Sequence, residues 1–228
     1  MKPIPPVVLA APDDDIDAAL AFAVDRARRH GCGLRVVAYD PTVLHRVLDR
    51  VDEVPVEGRL VCGAPVRAVL DASADARLVV VRRRDLLHLF RALSHPDDVL
   101  PTTWADPPVA CVPPTWTPTP DDDRPVTVGV EDVATAAQLV EDAEVVCGTD
   151  RLRTVHAAHE RAGAVLLAEA AASQVLVLGR NPADERGGTR LGRTSRTVLH
   201  ECSCPVVLLP PTPGDMCWAA EPTVGASV

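Results

Sequence analysis

The chain has 228 residues, enough for one large or two small domains, and its apolar fraction of 47% can fill real cores, although aromatics make up only 3% and Val, Leu and Ala must supply the packing. A formal net charge of −9, with Lys2 as the only lysine, argues against a general nucleic-acid binder, which needs excess cations against phosphate. No run of about 18 apolar residues offers a membrane span; Met1–Pro6 provides no apolar leader core, and seven scattered cysteines suit reduced thiols in a cytoplasmic setting.

In chain order, Val7–Ala11 reads as a buried strand, followed by Asp13-Asp-Asp15 as the cap of a helix reaching about His30. Ile16, Ala19, Leu20, Ala23 and Ala27 recur along it at helical spacing. Gly31-Cys-Gly33 ends that helix. Leu34–Ala38 is a second strand, Val43–Val51 a short helix, Arg59–Cys62 a third strand, Pro65–Ala74 a helix, Leu78–Val81 a fourth strand and Val109–Val112 a fifth. After a Pro- and Asp-rich segment the pattern restarts. Val126–Val130 is a strand, Val133–Cys147 a helix, Leu152–His156 a strand and Ala162–Ala171 a helix. A strand from Val175 to Gly179, a glycine-bearing loop, a short helix and a last strand from Val206 follow. This β-α-β alternation predicts parallel sheets with helices on both faces.

The restart is a repeat. Pro108–Thr115 matches Pro205–Thr212 at an offset of 97, and the same offset lays Leu78–Val81 on Gln174–Leu178 with one position of slack at the strand start. Two α/β units are therefore expected, at 5–114 and 124–210, joined by an extended, solvated linker at 115–123 and followed by a disordered tail at 211–228. The path from first to fourth strand is about two dozen residues shorter in the second unit. That unit is expected to lack the third strand and the helix before it, an edge of a sheet ordered 3-2-1-4-5.

In an open parallel sheet, ligands sit beyond the strand C-termini where the strand order reverses. In the second unit this places Gly129, Glu131 and Asp132 after the first strand, opposite Gly179. Gly179, a flexible loop holding Gly187-Gly188, and Gly192 at the start of the last helix, with Arg193, Thr194 and Ser195 in its first turn, form a phosphate-cradle pattern. Glu131 reads either as a hydrogen-bond acceptor for ribose or as a helix-capping acid; Arg193 either clamps phosphate or fills the pocket. Pro182 removes an N–H from the cradle, and Asp184-Glu185 oppose phosphate unless a Mg²⁺ lies between them. At the offset of 97, Gly179, Pro182, Gly192 and Arg193 fall on Arg82, Asp85, His95 and Pro96, so the first unit is expected to hold no nucleotide.

His200, Cys202 and Cys204 are soft metal ligands set close together, but no second ligand pair has metal spacing, and no metal site is expected. No Walker, nucleophile-elbow or zinc-protease motif is present, so catalysis by a dedicated nucleophile is not expected either.

The segment from Val175 to Pro210 resembles the end of a universal stress protein domain. That family has a glycine closing its fourth strand, a second glycine three positions on, a third ten beyond that, a Ser or Thr, a helix, and a Cys-Pro opening the last strand. Gly179, Gly192, Ser195 and Cys204-Pro205 fit; Pro182 and Arg193 depart. The resemblance implies an α/β protein of two doubly wound, flavodoxin-like (HUP-type) units, the first with a degenerate nucleotide loop. It also implies a stress-response role without enzymatic activity. One ATP, with Mg²⁺ arriving only on the nucleotide, would bind in the second unit at Glu131, Gly179, Gly192, Arg193, Thr194 and Ser195. The alternative it leaves open is a scaffold or regulator that works without ligand. It implies further that the last strands of the two units pair as an internal pseudo-dimer, which could itself dimerise.

Overall fold

The computed structural model describes residues 4–62, 69, 71–86, 107–119, 122–131, 133–157, 161–182 and 189–211. Its strands are β1 (Val7–Ala11), β2 (Leu34–Ala38), β3 (Val56–Leu60), β4 (Leu78–Arg82), β5 (Val109–Val112), β6 (Val126–Val130), β7 (Leu152–His156), β8 (Val175–Gly179), β9 (Asn181–Pro182), β10 (Thr189–Arg190) and β11 (Val206–Leu209). The helices are α1 (Asp17–His30), α2 (Pro41–Leu48), α3 (Val133–Cys147), α4 (Ala162–Ala170) and α5 (Arg193–Glu201). Nine strands form one sheet in the order β3-β2-β1-β4-β5-β11-β8-β6-β7. All neighbours are parallel except β5 and β11, which pair antiparallel. The first half thus has the order 3-2-1-4-5. The second has four strands, with β7 at the free edge.

The duplication is visible in the ladders. β4 pairs with β5 as Val79↔Val109 through Arg82↔Val112, and β8 pairs with β11 as Leu176↔Val206 through Gly179↔Leu209, every position shifted by 97. Across the junction Val207 faces Ala110, flanked by Val206↔Cys111 and Leu208↔Val109. Ala110 and Val207 are equivalent under the same shift, so a local two-fold axis passes between them.

Side-chain alternation sorts the strands onto two cores. Val7, Leu9, Val36, Val80, Val128, Val177 and Val207 face α1, α2 and α3. Val8, Val37, Val79, Val109, Leu176 and Leu208 face α4 and α5 on the other side. Central strands buried on both faces read as continuous apolar runs, which is why β1, β4, β8 and β11 stand out in the sequence. Phe22 is the only aromatic among the buried side chains described.

Four expectations are corrected. Strand β3 occupies 56–60 rather than 59–62, because Leu34 aligns with Val56 and the Leu44 and Leu48 methyls of α2 lie over Gly58. Helix α2 starts at Pro41, with the Asp40 carboxylate accepting from the Thr42 N–H, earlier than the apolar spacing suggested. Asp13–Asp15 do not cap α1; Ile16 holds the cap position with no side-chain bond, and Asp13 turns to arginines instead. The segment after β5 is not simply solvated. Trp116 packs edge-on against Phe22 with ring centroids 5.5 Å apart, and Gln174 donates to the Asp122 carbonyl. Of the helix expected at 65–74, only residues 69, 71 and 72 are described as helical, the remainder lying largely outside the described residues. The tail beyond 211 also lies outside them.

Two sets of bonds brace the halves. Arg83 follows β4 and donates to the carbonyls of His200 (3.0 Å) and Cys202 at the end of α5. Its counterpart under the shift of 97, Arg180, follows β8 and donates to the Pro107 carbonyl (2.9 Å) ahead of β5. On the opposite face, the last turn of α3 meets two arginines and a histidine of the first half. Arg77 donates to Val145 O (3.1 Å), His30 Nε2 lies 2.9 Å from Val146 O, and Arg26 donates to Cys147 O (3.0 Å). A helix end leaves such carbonyls without internal donors and carries partial negative charge, so basic side chains suit it.

Candidate functional site

The strand order reverses between β1 and β4 in the first half and between β6 and β8 in the second. Two crevices result, and they differ in what fills them.

In the first, Arg82 at the end of β4 is 7% exposed. Its guanidinium donates to the Asp13 and Asp85 carboxylates and to the Asp15 carbonyl (2.9 Å). Burial would lower its pKa, but the bonds to Asp85 and Asp13 outweigh this and hold it raised. The Arg82 bond in turn holds the Asp13 carboxyl below its ordinary range. Arg84, half exposed, adds a second cation to Asp13 (2.7 Å) and pairs with Asp15 (3.2 Å). A side chain of this chain therefore occupies the mouth of the crevice and ties the β1–α1 loop to the loop after β4. His95 and Pro96 lie outside the described residues.

In the second crevice Gly179 stands where Arg82 stands in the first, as the β8–β11 and β4–β5 registers require. A Cβ there would meet nothing nearer than Leu139 Cδ1 at 3.5 Å, so packing leaves this position open. Gly179 is a regular strand member opposite Leu209. Arg180 then anchors the chain through its N–H to Leu209 O (2.9 Å). Asn181-Pro182 pairs antiparallel with Thr189-Arg190. This small ribbon returns the chain to the end of β8 and delivers Gly192 close to where Gly179 left the sheet. Pro182 sits within the ribbon, and the loop holding Asp184, Glu185, Gly187 and Gly188 lies outside the described residues.

Gly192 is the N-cap of α5 with extended backbone and no side-chain cap. The first helical bond runs from Arg196 N–H to Gly192 O (3.1 Å). The amides of Arg193, Thr194 and Ser195 are those a helix leaves without internal acceptors, at its positive end. Thr194 and Ser195 are half-buried, whereas Arg193 is exposed and does not fill the pocket. Glu131 is exposed beyond the end of β6, next to β8 on the same rim; Asp132 lies outside the described residues. Gly129, expected at the crevice, belongs to the core instead: a Cβ on it would lie 2.6 Å from Leu166 Cδ2 and 2.8 Å from Leu178 Cδ2.

The expected residues thus gather at one rim, with Glu131 and Gly179 on neighbouring strand ends and Gly192–Ser195 brought back by the ribbon. Missed from sequence was the role of Arg82, whose partners lie 67 to 69 residues away apart from Asp85. Also missed was a groove of about 790 Å³ between α1, the loop before β3 and the segment after Trp116. Its cations are largely matched internally, as in Arg28–Glu53 (3.3 Å), Arg29–Asp25 (3.0 Å) and Arg50–Asp17 (2.8 Å). Among the described residues, no three His, Cys, Asp or Glu side chains could hold a metal ion, and no helix is long and apolar enough to cross a membrane.

This topology, a mostly parallel sheet with helices on both faces and crevices at its switch points, is that of a flavodoxin-like α/β protein. Residues 108–210, from β5 through β11, match the model of the universal stress protein family. Over these residues the chain is similar to the universal stress protein family. No curated protein matches the chain. Among solved structures, a protein of unknown function from Pseudomonas aeruginosa PAO1 is similar at 14% identity and TM-score 0.61, covering 91% of this chain and 93% of that one. A putative universal stress protein from Pseudomonas aeruginosa UCBPP-PA14 is similar at 13% identity and TM-score 0.56, covering 91% and 94%. A universal stress protein from Archaeoglobus fulgidus DSM 4304 is similar at 14% identity and TM-score 0.50, covering 89% and 98%. At these identities the structures speak for the fold.

Proposed function

We propose that this chain is a cytoplasmic stress-response protein that works by binding rather than catalysis, and that it takes one adenine nucleotide, ATP, in its second half. The observation that carries the reading is the contrast between equivalent positions: Arg82 closes the first crevice, while Gly179 leaves the second open. The free amides at Arg193–Ser195 and the Thr194 and Ser195 hydroxyls supply phosphate donors. Exposed Arg193 is available as a charged fork, and Glu131 faces the rim where a ribose would lie. Mg²⁺ would arrive with the triphosphate.

Pro182 favours a second reading, a scaffold that works without ligand. It has no N–H to give, and its partner strand fixes it in the ribbon. Titration calorimetry with MgATP separates the two. The nucleotide reading expects one site per chain, abolished by Gly192→Val, unaffected by His95→Val, and strengthened about tenfold or more by Pro182→Gly, which returns a donor to a charged acceptor. No heat from the parent chain, and none gained in Pro182→Gly, would establish the scaffold.

A further inference from the structure

The C-terminal end of α5 carries a feature that nucleotide binding does not use. Cys202 and Cys204 place their sulfurs 3.4 Å apart, hydrogen-bonded to one another. Both are buried, but the residue between them, Ser203, is exposed, as are His200 and Glu201, so the pair lies one layer beneath the surface. The turn is held from the other half by Arg83, whose guanidinium reaches the Cys202 carbonyl. Cys202 also closes the helix, its N–H donating to Val198 O at 2.8 Å.

We propose that Cys202 and Cys204 form an oxidant-responsive dithiol that a small peroxide converts to an intramolecular disulfide. The C-x-C spacing, the direct sulfur contact and the neighbouring cation are three separate observations that meet at this turn. The two thiols are also unequal. The Cys204 S–H bond and the Arg83 charge hold the Cys202 thiol below its ordinary pKa, whereas Cys204, as donor to that sulfur and buried, is raised. Cys202 is therefore the attacking group and Cys204 the resolving one. A third thiol nearby, Cys111 on β5, is pushed up to about 12 by burial and is a poor nucleophile.

The Cys202 thiolate attacks one oxygen of the peroxide, the O–O bond breaks, and an alcohol or water leaves with a proton, giving a sulfenic acid. The Cys204 sulfur then attacks the Cys202 sulfur, the S–O bond breaks, and water leaves carrying the Cys204 proton. Two electrons pass from the thiols to the peroxide. Two equivalents of a thiol reductant reverse the bridge by exchange. The sulfurs close from 3.4 Å to about 2.05 Å, at a turn whose carbonyl Arg83 holds.

The test uses the full chain in its native state. It is treated with hydrogen peroxide, unfolded, alkylated with iodoacetamide and digested with trypsin. The peptide Thr197–Val228 contains Cys202, Cys204 and Cys217. It should keep one alkyl group instead of three, with fragmentation placing the bridge between Cys202 and Cys204, and dithiothreitol should restore all three. Cys202→Ser and Cys204→Ser should each lose the bridge, while Cys62→Ser keeps it. Exposed Cys62 reports that the oxidant was sufficient. Oxidation at Cys62 with three alkyl groups still on the peptide would overturn the proposal. So would a bridge from Cys202 to Cys111 or Cys217, or a terminal sulfinic acid on Cys202 with Cys204 still alkylated.

Discussion

Gly129→Ala adds one methyl group to the middle of β6, and the structure fixes the sign of its effect. In an ordinary strand the change would stabilise by about 0.5–1 kcal/mol, because glycine loses more backbone freedom on folding. Here the new carbon falls 2.6 Å from Leu166 Cδ2 and 2.8 Å from Leu178 Cδ2, roughly 1 Å inside normal carbon contact for each. Leu166 and Leu178 are themselves buried, at 2% and 4% exposure, and have little room to turn. Overpacking of this kind costs about 1–3 kcal/mol. The net expectation is a loss of about 0.5–2 kcal/mol, or about 1–8 °C in melting temperature for a chain of this size. Urea unfolding followed by far-ultraviolet circular dichroism should show a lower midpoint with an unchanged slope. Leu166→Ala alone should cost about 2–5 kcal/mol. The double variant should lose less than the sum, since the added methyl then enters the space the leucine left. A midpoint raised by Gly129→Ala, or two effects that simply add, would refute the close approach.

Two further outcomes follow from the junction. Burial, with Arg77, Arg26 and Arg29 around it, holds the His30 pKa below 6.5 despite the Val146 carbonyl, so folding favours the neutral ring. That contribution is present above about pH 6.5 and is lost as pH falls below it. The Asp13, Asp75 and Asp122 carboxyls are all held below 3.8, so they titrate in a separate, more acidic window. Denaturation midpoints should fall between pH 7.5 and 5.5 in the parent chain and stay flatter in His30→Gln; equal slopes would exclude His30 as the cause. Ala110→Asp places a carboxylate on the local two-fold axis, where Ala110 is fully buried. It should destabilise by at least about 3 kcal/mol or prevent folding, read as loss of the cooperative thermal transition; a normal transition would argue against a dry junction.

Most of the sheet was readable because strands buried on both faces leave continuous Val- and Leu-rich runs, and because the gapless repeat tied Val109–Val112 to Val206–Leu209. Strand β3 was misplaced because an edge strand with four of five residues exposed carries no such run. Its position is set by Leu34 and by the α2 leucines over Gly58. The segment after β5 misled by composition: prolines and aspartates suggested solvent, while Trp116 among them was the sign of a docking point. At the candidate site the glycines at 179 and 192 were legible as a pattern, but Gly129 was not, since glycine beside a crevice and glycine beneath two leucines look alike in one dimension. Arg82 read as an obstruction in the first loop. Its pairing with Asp13 depends on a contact across 69 residues that spacing alone does not carry.

The antiparallel pairing of β5 with β11 joins two segments of one molecule. A tether of about a dozen residues, pinned part-way by Trp116 on Phe22, keeps the two faces at an effective concentration in the millimolar range. Association is then unimolecular: dilution cannot separate the halves, and melting is independent of protein concentration, unlike that of an interface built from separate chains. Such a junction can also remain weak in absolute terms and still be fully formed. Each half is thereby free to diverge at its own strand ends, provided the Ala110–Val207 axis is kept.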